Sequence, residues 1–291
     1  MNQELLENEV LCLTRNRVRN VFPAITKEFL KFNIKPTSTK YKIAICISGG
    51  LRHFEQTQEW MNKFLIDPLN ADTFFFGWGN RSGKKANEDQ IKNFNNLKKY
   101  TINDIQETKL DVPEALKQKF LNAEEGCTQR CQTILGQFYN IYNCFELLKQ
   151  YEHEQGIQYD IVIRARPDAF FFSKITDEEI EAAYSSLDSI SVPQNYLSIY
   201  CGMLTDMFAM GNRNNMEAYS KVFLNLEEYG AIAPAGTGAE FFIHHHVHNR
   251  HNLRVQNMDM PFMLDFPSDY GPGGEANKHH RHVYQNDAPK G

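Results

Sequence analysis

An α/β domain built on a mainly parallel sheet is the fold class this sequence predicts. Three observations predict it. Short apolar, β-branched runs at 41–48, 72–78 and 159–164 each end in glycine or charge. Stretches with helical periodicity separate them, the strongest from about 129 to 153. A chain of 291 residues that is 42% hydrophobic and 23% charged can bury both faces of such a sheet.

The elements follow in order. Apolar residues at helical spacing, from Leu5 to Leu30, predict an N-terminal helix over 4–31, kinked or split at Pro23. A polar linker with Pro36 closes this extension, 1–40. The first strand, 41–48, runs into Gly49-Gly50 and a helix over 53–65, the opening of a βα unit. The second strand, 72–78, is TFFF-rich and ends in Gly79-Asn80. Residues 81–125 are polar and read as a surface insertion with one or two short helices. The helix over 129–153 stops near Gly156, and the third strand, 159–164, follows. Shorter strands are expected at 189–192 and 206–210, and helices at 212–226 and 238–247. The main domain is therefore 41–265, and 266–291, rich in Gly, Pro, His and Asn, is a tail without a core pattern.

Charge and cysteine usage exclude several functions. A net charge of −5 leaves no basic face for general nucleic-acid binding. No apolar run approaches the ~20 residues of a membrane span. The acidic start, MNQELLENEV, is not a secretory signal. Six cysteines is a low density; Cys46 and Cys144 sit inside apolar patterns, and Cys127-x3-Cys131 lacks a second ligand pair at zinc spacing. The chain reads as a reduced, cytoplasmic protein.

In parallel sheets ligands bind beyond the carboxyl ends of strands, so candidate residues are sought there. Ser48-Gly49-Gly50-Leu51-Arg52 has two readings: a tight turn with a surface arginine, or a backbone that approaches a phosphate with Arg52 adding a charge-assisted bond. Arg164-Ala165-Arg166-Pro167-Asp168 follows the third strand directly. It reads as a structural ion pair, or as arginines for a diphosphate with a carboxylate for a metal or sugar hydroxyl. Trp78 either stacks on a base or sugar or fills the core edge, and Asp72 opens the same strand. Asp206 precedes a short strand. Glu240 either closes a capping box with Thr237 or acts as a general base. His244, His245, His246, His248 and His251 invite a zinc reading, with His244 and His248 at i,i+4, but no HExxH pattern occurs. The tail run His279-His280-Arg281-His282 reads as solvated.

The order of pieces carries a resemblance. KIAICISGGLRHF, ADTFFFGWGN, YDIVIRARPDAFFF, DMFAMGNRNNMEAY and a helix opening with Glu240 follow one another over about 41–260. This resembles glycosyltransferase-like proteins of bacteria and large viruses, allied to lipopolysaccharide and capsule biosynthesis transferases. The resemblance implies a GT-A-like domain that takes a nucleotide-sugar donor and a carbohydrate acceptor. Carried over, Ser48, Gly49, Gly50, Arg52 and Trp78 lie near the nucleotide. Arg164 and Arg166 meet the diphosphate, Asp168 holds Mn²⁺ or Mg²⁺, and Asp206 or Glu240 is the catalytic base. The chain departs from the usual D-x-D with a single acid, Asp168. Two other readings remain: a non-catalytic, degenerate transferase fold that binds carbohydrate, and a sugar nucleotidyltransferase.

Overall fold

In a computed structural model, the structure describes residues 33–37, 40–51, 54–79, 88–103, 110–120, 127–193, 204–234, 237–258 and 262–264. The expected N-terminal helix over 4–31 and the tail, 266–291, lie outside them.

Among the described residues seven strands form the main sheet: β1 (Ile43–Gly50), β2 (Asp72–Trp78), β3 (Leu97–Asn103), β4 (Ile161–Ala165), β6 (Ser189–Pro193), β7 (Phe208–Asn212) and β8 (Arg254–Met258). Their order is β3-β2-β1-β4-β7-β6-β8. β1, β2, β3 and β4 are mutually parallel; β7 runs antiparallel to both β4 and β6, and β8 parallels β6. The mainly parallel sheet expected from the sequence is thus present, with β7 as its one reversed strand. A two-stranded antiparallel sheet pairs β5 (Ala169–Phe171) with β9 (Phe262–Leu264).

Helices cover both faces. α1 (Phe54–Met61) continues through a π turn, Asn62–Ile66, and a last turn, Asp67–Leu69. α2 (Glu88–Lys92) and α3 (Glu114–Phe120) flank β3, and the long α4 (Cys127–Gln155) leads into β4. Then come α5 (Asp177–Ser185), α6 (Arg213–Ser220), a 3₁₀ turn Lys221–Asn225, α7 (Leu226–Ile232) and α8 (Ala239–His244), which runs on as a π turn, His245–Arg250.

The strand period of two sorts the core into two layers. Ile43, Ile45 and Ile47 of β1 pack with Trp60 and Phe64 after the first turn and with Ile180 of α5. Ala44 and Cys46 pack with Phe138 and Phe145 of α4 and Tyr219 of α6. The Phe-rich second strand splits the same way: Phe75 joins the first layer, Phe74 and Phe76 the second. Cys46 and Cys144 are free and buried, as their apolar settings predict.

Two expectations are corrected. Residues 81–125 are not only a helical insertion, because β3 lies within them as an edge strand of the main sheet. LKKYTIN hides its strand character because the edge keeps its lysines half-exposed, paired as Lys98–Asp72 at 3.1 Å and Lys99–Glu154 at 2.5 Å. Thr237 and Glu240 form no capping box. Gly238 caps α8 without a side-chain bond, and the Thr237 hydroxyl donates to the Pro234 carbonyl at 2.6 Å.

Candidate functional site

The carboxyl ends of β1, β2 and β4 meet closely. Gly49 has φ +142°, a conformation that favours glycine, and a Cβ there would lie 3.2 Å from Pro167 Cδ. Its register partner Gly77 allows a tighter approach still, since a Cβ on Gly77 would stand 2.0 Å from the Gly49 carbonyl oxygen. The loop after β4 is tied from the other side as well, where the buried Thr57 hydroxyl of α1 donates to the Pro167 carbonyl at 2.6 Å. The glycine end of β1 and the segment Arg166-Pro167-Asp168 are thereby fixed against each other.

Arg166 and Asp168 form a fork. Arg166 Nε donates to Asp168 Oδ1 at 2.9 Å and Nη2 to Oδ2 at 2.7 Å, with 22% of the arginine side chain exposed against 4% of the aspartate. Burial opposes the charge on Arg166, but Asp168, Asp206 and Glu240 together hold its pKa above the ordinary value. Only Asp168 is bonded to the guanidinium; Asp206 and Glu240 act on it through their charge, without a hydrogen bond to it. Glu240, in the first turn of α8, is the partly exposed member of the group, and Asp206 is buried.

Arg164 lies beneath rather than beside this fork. It is 2% exposed; its Nη1 donates to the Asp206 backbone oxygen, and its Nε has no partner. Burial lowers its pKa, while Tyr219, Asp206 and Asp168 act in the opposite sense. The Asp206 carboxylate accepts from Gln137 Nε2 of α4. Around them the Tyr219 hydroxyl, the Ser48 hydroxyl and both side-chain polar atoms of Asn140 are buried without hydrogen-bond partners. Burial pushes the Tyr219 hydroxyl up to about 12, against the opposing pull of Arg164.

Arg166 and Asp168 thus pair directly, Asp206 and Glu240 act on Arg166 through their charge, and Gly49 packs on the intervening Pro167. Ser48 is wholly buried, so its side chain does not reach the surface of the site. Arg52 lies outside the described residues, as do Asn80 and Gly236. Trp78 takes the core-edge position: it is 5% exposed, stacks on Tyr139 at 5.9 Å and 16°, and lies against Gly136. Asp72 stands at the opposite end of its strand, accepting from the Tyr159 hydroxyl at 2.7 Å. Gln137 and Tyr219 were not legible as site residues. The only signal was a polar group within each apolar helical pattern.

Asp168 as placed does not fit a divalent cation. Both its oxygens are spanned by Arg166, so a dication there would meet a guanidinium at contact distance. Among the described residues no three His, Cys, Asp or Glu side chains converge as a metal site. The histidine run is no exception. His246 is buried with both nitrogens engaged, Nε2 with the Ala218 carbonyl at 2.7 Å and Nδ1 with the Tyr229 hydroxyl at 2.6 Å. His245 stacks on Phe241, and the His244 and His248 ring centroids lie 4.5 Å apart as a pair without a third ligand among the described residues. No helix among the described residues is long and apolar enough to cross a membrane.

Comparisons with known proteins complete the description. No curated protein is similar in sequence. Among solved structures, the mannosyltransferase Ktr4p from S. cerevisiae is similar at a TM-score of 0.43 and 12% identity, covering 90% of this chain and 80% of that one. Its complex with GDP gives 0.44 and 11%, covering 90% and 81%. The Mn/GDP form of core-mannan synthase A from Aspergillus fumigatus gives 0.45 and 11%, covering 79% and 76%. A sequence profile for one family matches residues 38–264, well over half of the chain, and so the chain belongs to the DUF7796 family, a domain of unknown function.

Proposed function

We propose that this chain is a glycosyltransferase that moves a sugar from a nucleoside-diphosphate donor to a carbohydrate acceptor on a GT-A-like domain. The observation that carries the reading is the fork of Arg166 on Asp168 where parallel strands end, beside the glycine end of β1, with Asp206 and Glu240 acting on Arg166 through their charge. Such strand ends are where α/β sheets bind ligands. The order of motifs, allied to lipopolysaccharide and capsule transferases, supports it independently.

The roles follow from position. Gly49 and Gly50 offer backbone at the donor, and Arg166 meets the diphosphate. Glu240 is reachable at the rim and takes the proton from the acceptor hydroxyl, whose oxygen attacks the anomeric carbon of the donor sugar. The carbon–oxygen bond to phosphate breaks, and the nucleoside diphosphate leaves with the electron pair. Asp206 is the deeper carboxylate, which accepts from Gln137 while Arg164 holds the backbone oxygen of the same residue, and it orders the floor of the site.

Calorimetric titration with a panel of UDP and GDP sugars, with and without Mn²⁺, tests this. One of them is expected to bind, and binding of none overturns the reading. Glu240→Gln is expected to lower turnover by about 100-fold or more while donor affinity stays within about threefold. The closure of Asp168 by Arg166 favours one rival, a non-catalytic carbohydrate-binding fold. Sugar binding without nucleotide binding establishes that rival instead.

A further inference from the structure

We propose that Asp168 is a positioning residue for Arg166, and that Arg166 itself, rather than a divalent cation held on Asp168, takes the donor's diphosphate. This rests on the transferase reading above and specifies how that site recognises its donor.

A guanidinium carries five N–H donors in a rigid plane. Asp168 occupies one edge, through Nε and one hydrogen of Nη2. The remaining edge, Nη1 and the second Nη2 hydrogen, makes no hydrogen bond to the described residues. The arginine side chain is also the more exposed half of the pair, at 22% against 4%. The aspartate therefore stands behind and the open donors stand in front, where two parallel bonds to phosphate oxygens fit.

The pair is held where it is. Pro167 separates its two members, the Thr57 hydroxyl fixes the Pro167 carbonyl, and Gly49 packs on the proline ring. A guanidinium fixed in this way loses little freedom when it binds, which favours affinity. As a unit the pair is neutral, but it presents its positive edge outward. Arg164 adds positive potential from below without reaching the surface. A cation on Asp168 requires both charge-assisted bonds to break, and it gains no converging ligands among the described residues in return.

The experiment is a calorimetric titration of the full chain with UDP and with GDP, each in EDTA and in Mn²⁺. It is repeated on Asp168→Asn, Arg166→Lys and the double variant, with each melting temperature measured alongside. At least one nucleotide is expected to bind in EDTA, with Mn²⁺ changing its affinity by less than about threefold. Arg166→Lys keeps the charge but loses the fork and is expected to weaken binding by about tenfold or more. Asp168→Asn is expected to weaken it several-fold with the melting temperature retained. The double variant is expected to bind no worse than Arg166→Lys alone, because Asp168 acts only through Arg166. A purely structural Asp168 gives additive losses instead, and that result overturns the proposal. Binding that requires Mn²⁺ and is abolished by Asp168→Asn also overturns it while leaving the transferase reading intact. Binding of neither nucleotide in either condition overturns both.

Discussion

The two ends of β4 carry the same kinds of residue in opposite states. At the amino end the charges of Arg213, Glu152, Glu217 and Lys221 close on one another. Arg213 meets Glu152 through Nε and Nη2, the latter at 2.9 Å, and meets Glu217 through Nη1. Glu152 also accepts from the Tyr159 backbone N–H, and Lys221 closes the remaining Glu217 oxygen at 2.8 Å. At the carboxyl end Arg166 has one edge closed and one open, Arg164 Nε has no partner, and the Tyr219 and Ser48 hydroxyls are buried unpaired. Unpaired buried polar atoms cost about 1–3 kcal/mol each, so a fold does not gather them without a return. A saturated ion network holds a fold together, whereas an unsaturated one is available to a ligand.

The largest expected effect tests what the open end relies on in place of ion pairs. Its rigidity is backbone packing, and Gly77→Ala places a Cβ 2.0 Å from the Gly49 carbonyl oxygen. Separating β1 from β2 is expected to cost more than about 5 kcal/mol, read as loss of cooperative unfolding or of soluble protein. A folded Gly77→Ala variant with an unchanged melting temperature breaks this account. Next comes Arg213→Ala at the closed end. It strands Glu152, whose side chain is only 8% exposed, and is expected to cost about 4 kcal/mol in denaturant unfolding. Nucleotide affinity is expected to stay within about twofold, since the two ends are separated by the length of β4.

The histidine run gives a second closed region to set against the open site. Burial pushes His246 down to about 4; the Ala218 hydrogen bond opposes this, and His251, Arg250 and His245 add to the depression. The folded pKa lies below the unfolded value of about 6.5, so the unfolded chain binds the extra proton between them. Stability is therefore fully present above about pH 6.5 and is lost as pH falls toward 4, by about 3 kcal/mol in all. Melting temperatures measured from pH 7 to 4 are expected to show this slope, and His246→Gln is expected to flatten it.

Much of the frame was legible because buried parallel strands are apolar throughout: β1, β2 and β4 stand where their runs predict, and α4 keeps its period. β3 and β8 were not legible, because edge strands carry polar side chains such as Lys98 and Gln256. The pattern Thr-x-x-Glu misled in one place and was overlooked in another. At Thr176 and Glu179 it is a true capping box opening α5. At Thr237 and Glu240 the hydroxyl bonds to Pro234 instead. Local sequence cannot separate the two, because the choice is made by the carbonyl that the preceding loop brings to the hydroxyl. In the site, the charges of Arg164 to Asp168 stood out after a buried strand. Which of them faces outward was decided by α4 and by the segment entering β7, which bring Gln137 and the Asp206 carbonyl to their partners.

The smallest expected effect pairs one isosteric change at each end of β4. At the closed end Arg213, Lys221, Glu152 and Glu217 balance, and Glu152→Gln leaves that group one charge positive and removes the main partner of Arg213. A loss of about 2 kcal/mol is expected. At the open end Arg164 and Arg166 face three acids, and Asp168→Asn brings that group to neutrality. The amide oxygen still accepts one bond from Arg166, and Asp206 and Glu240 remain to balance the guanidinium. The change is expected to stay within about 1 kcal/mol by thermal unfolding, although it weakens nucleotide binding. If Asp168→Asn instead costs as much as Glu152→Gln, the Arg166–Asp168 fork is a structural clasp like the one at the other end, and the difference between the two ends disappears.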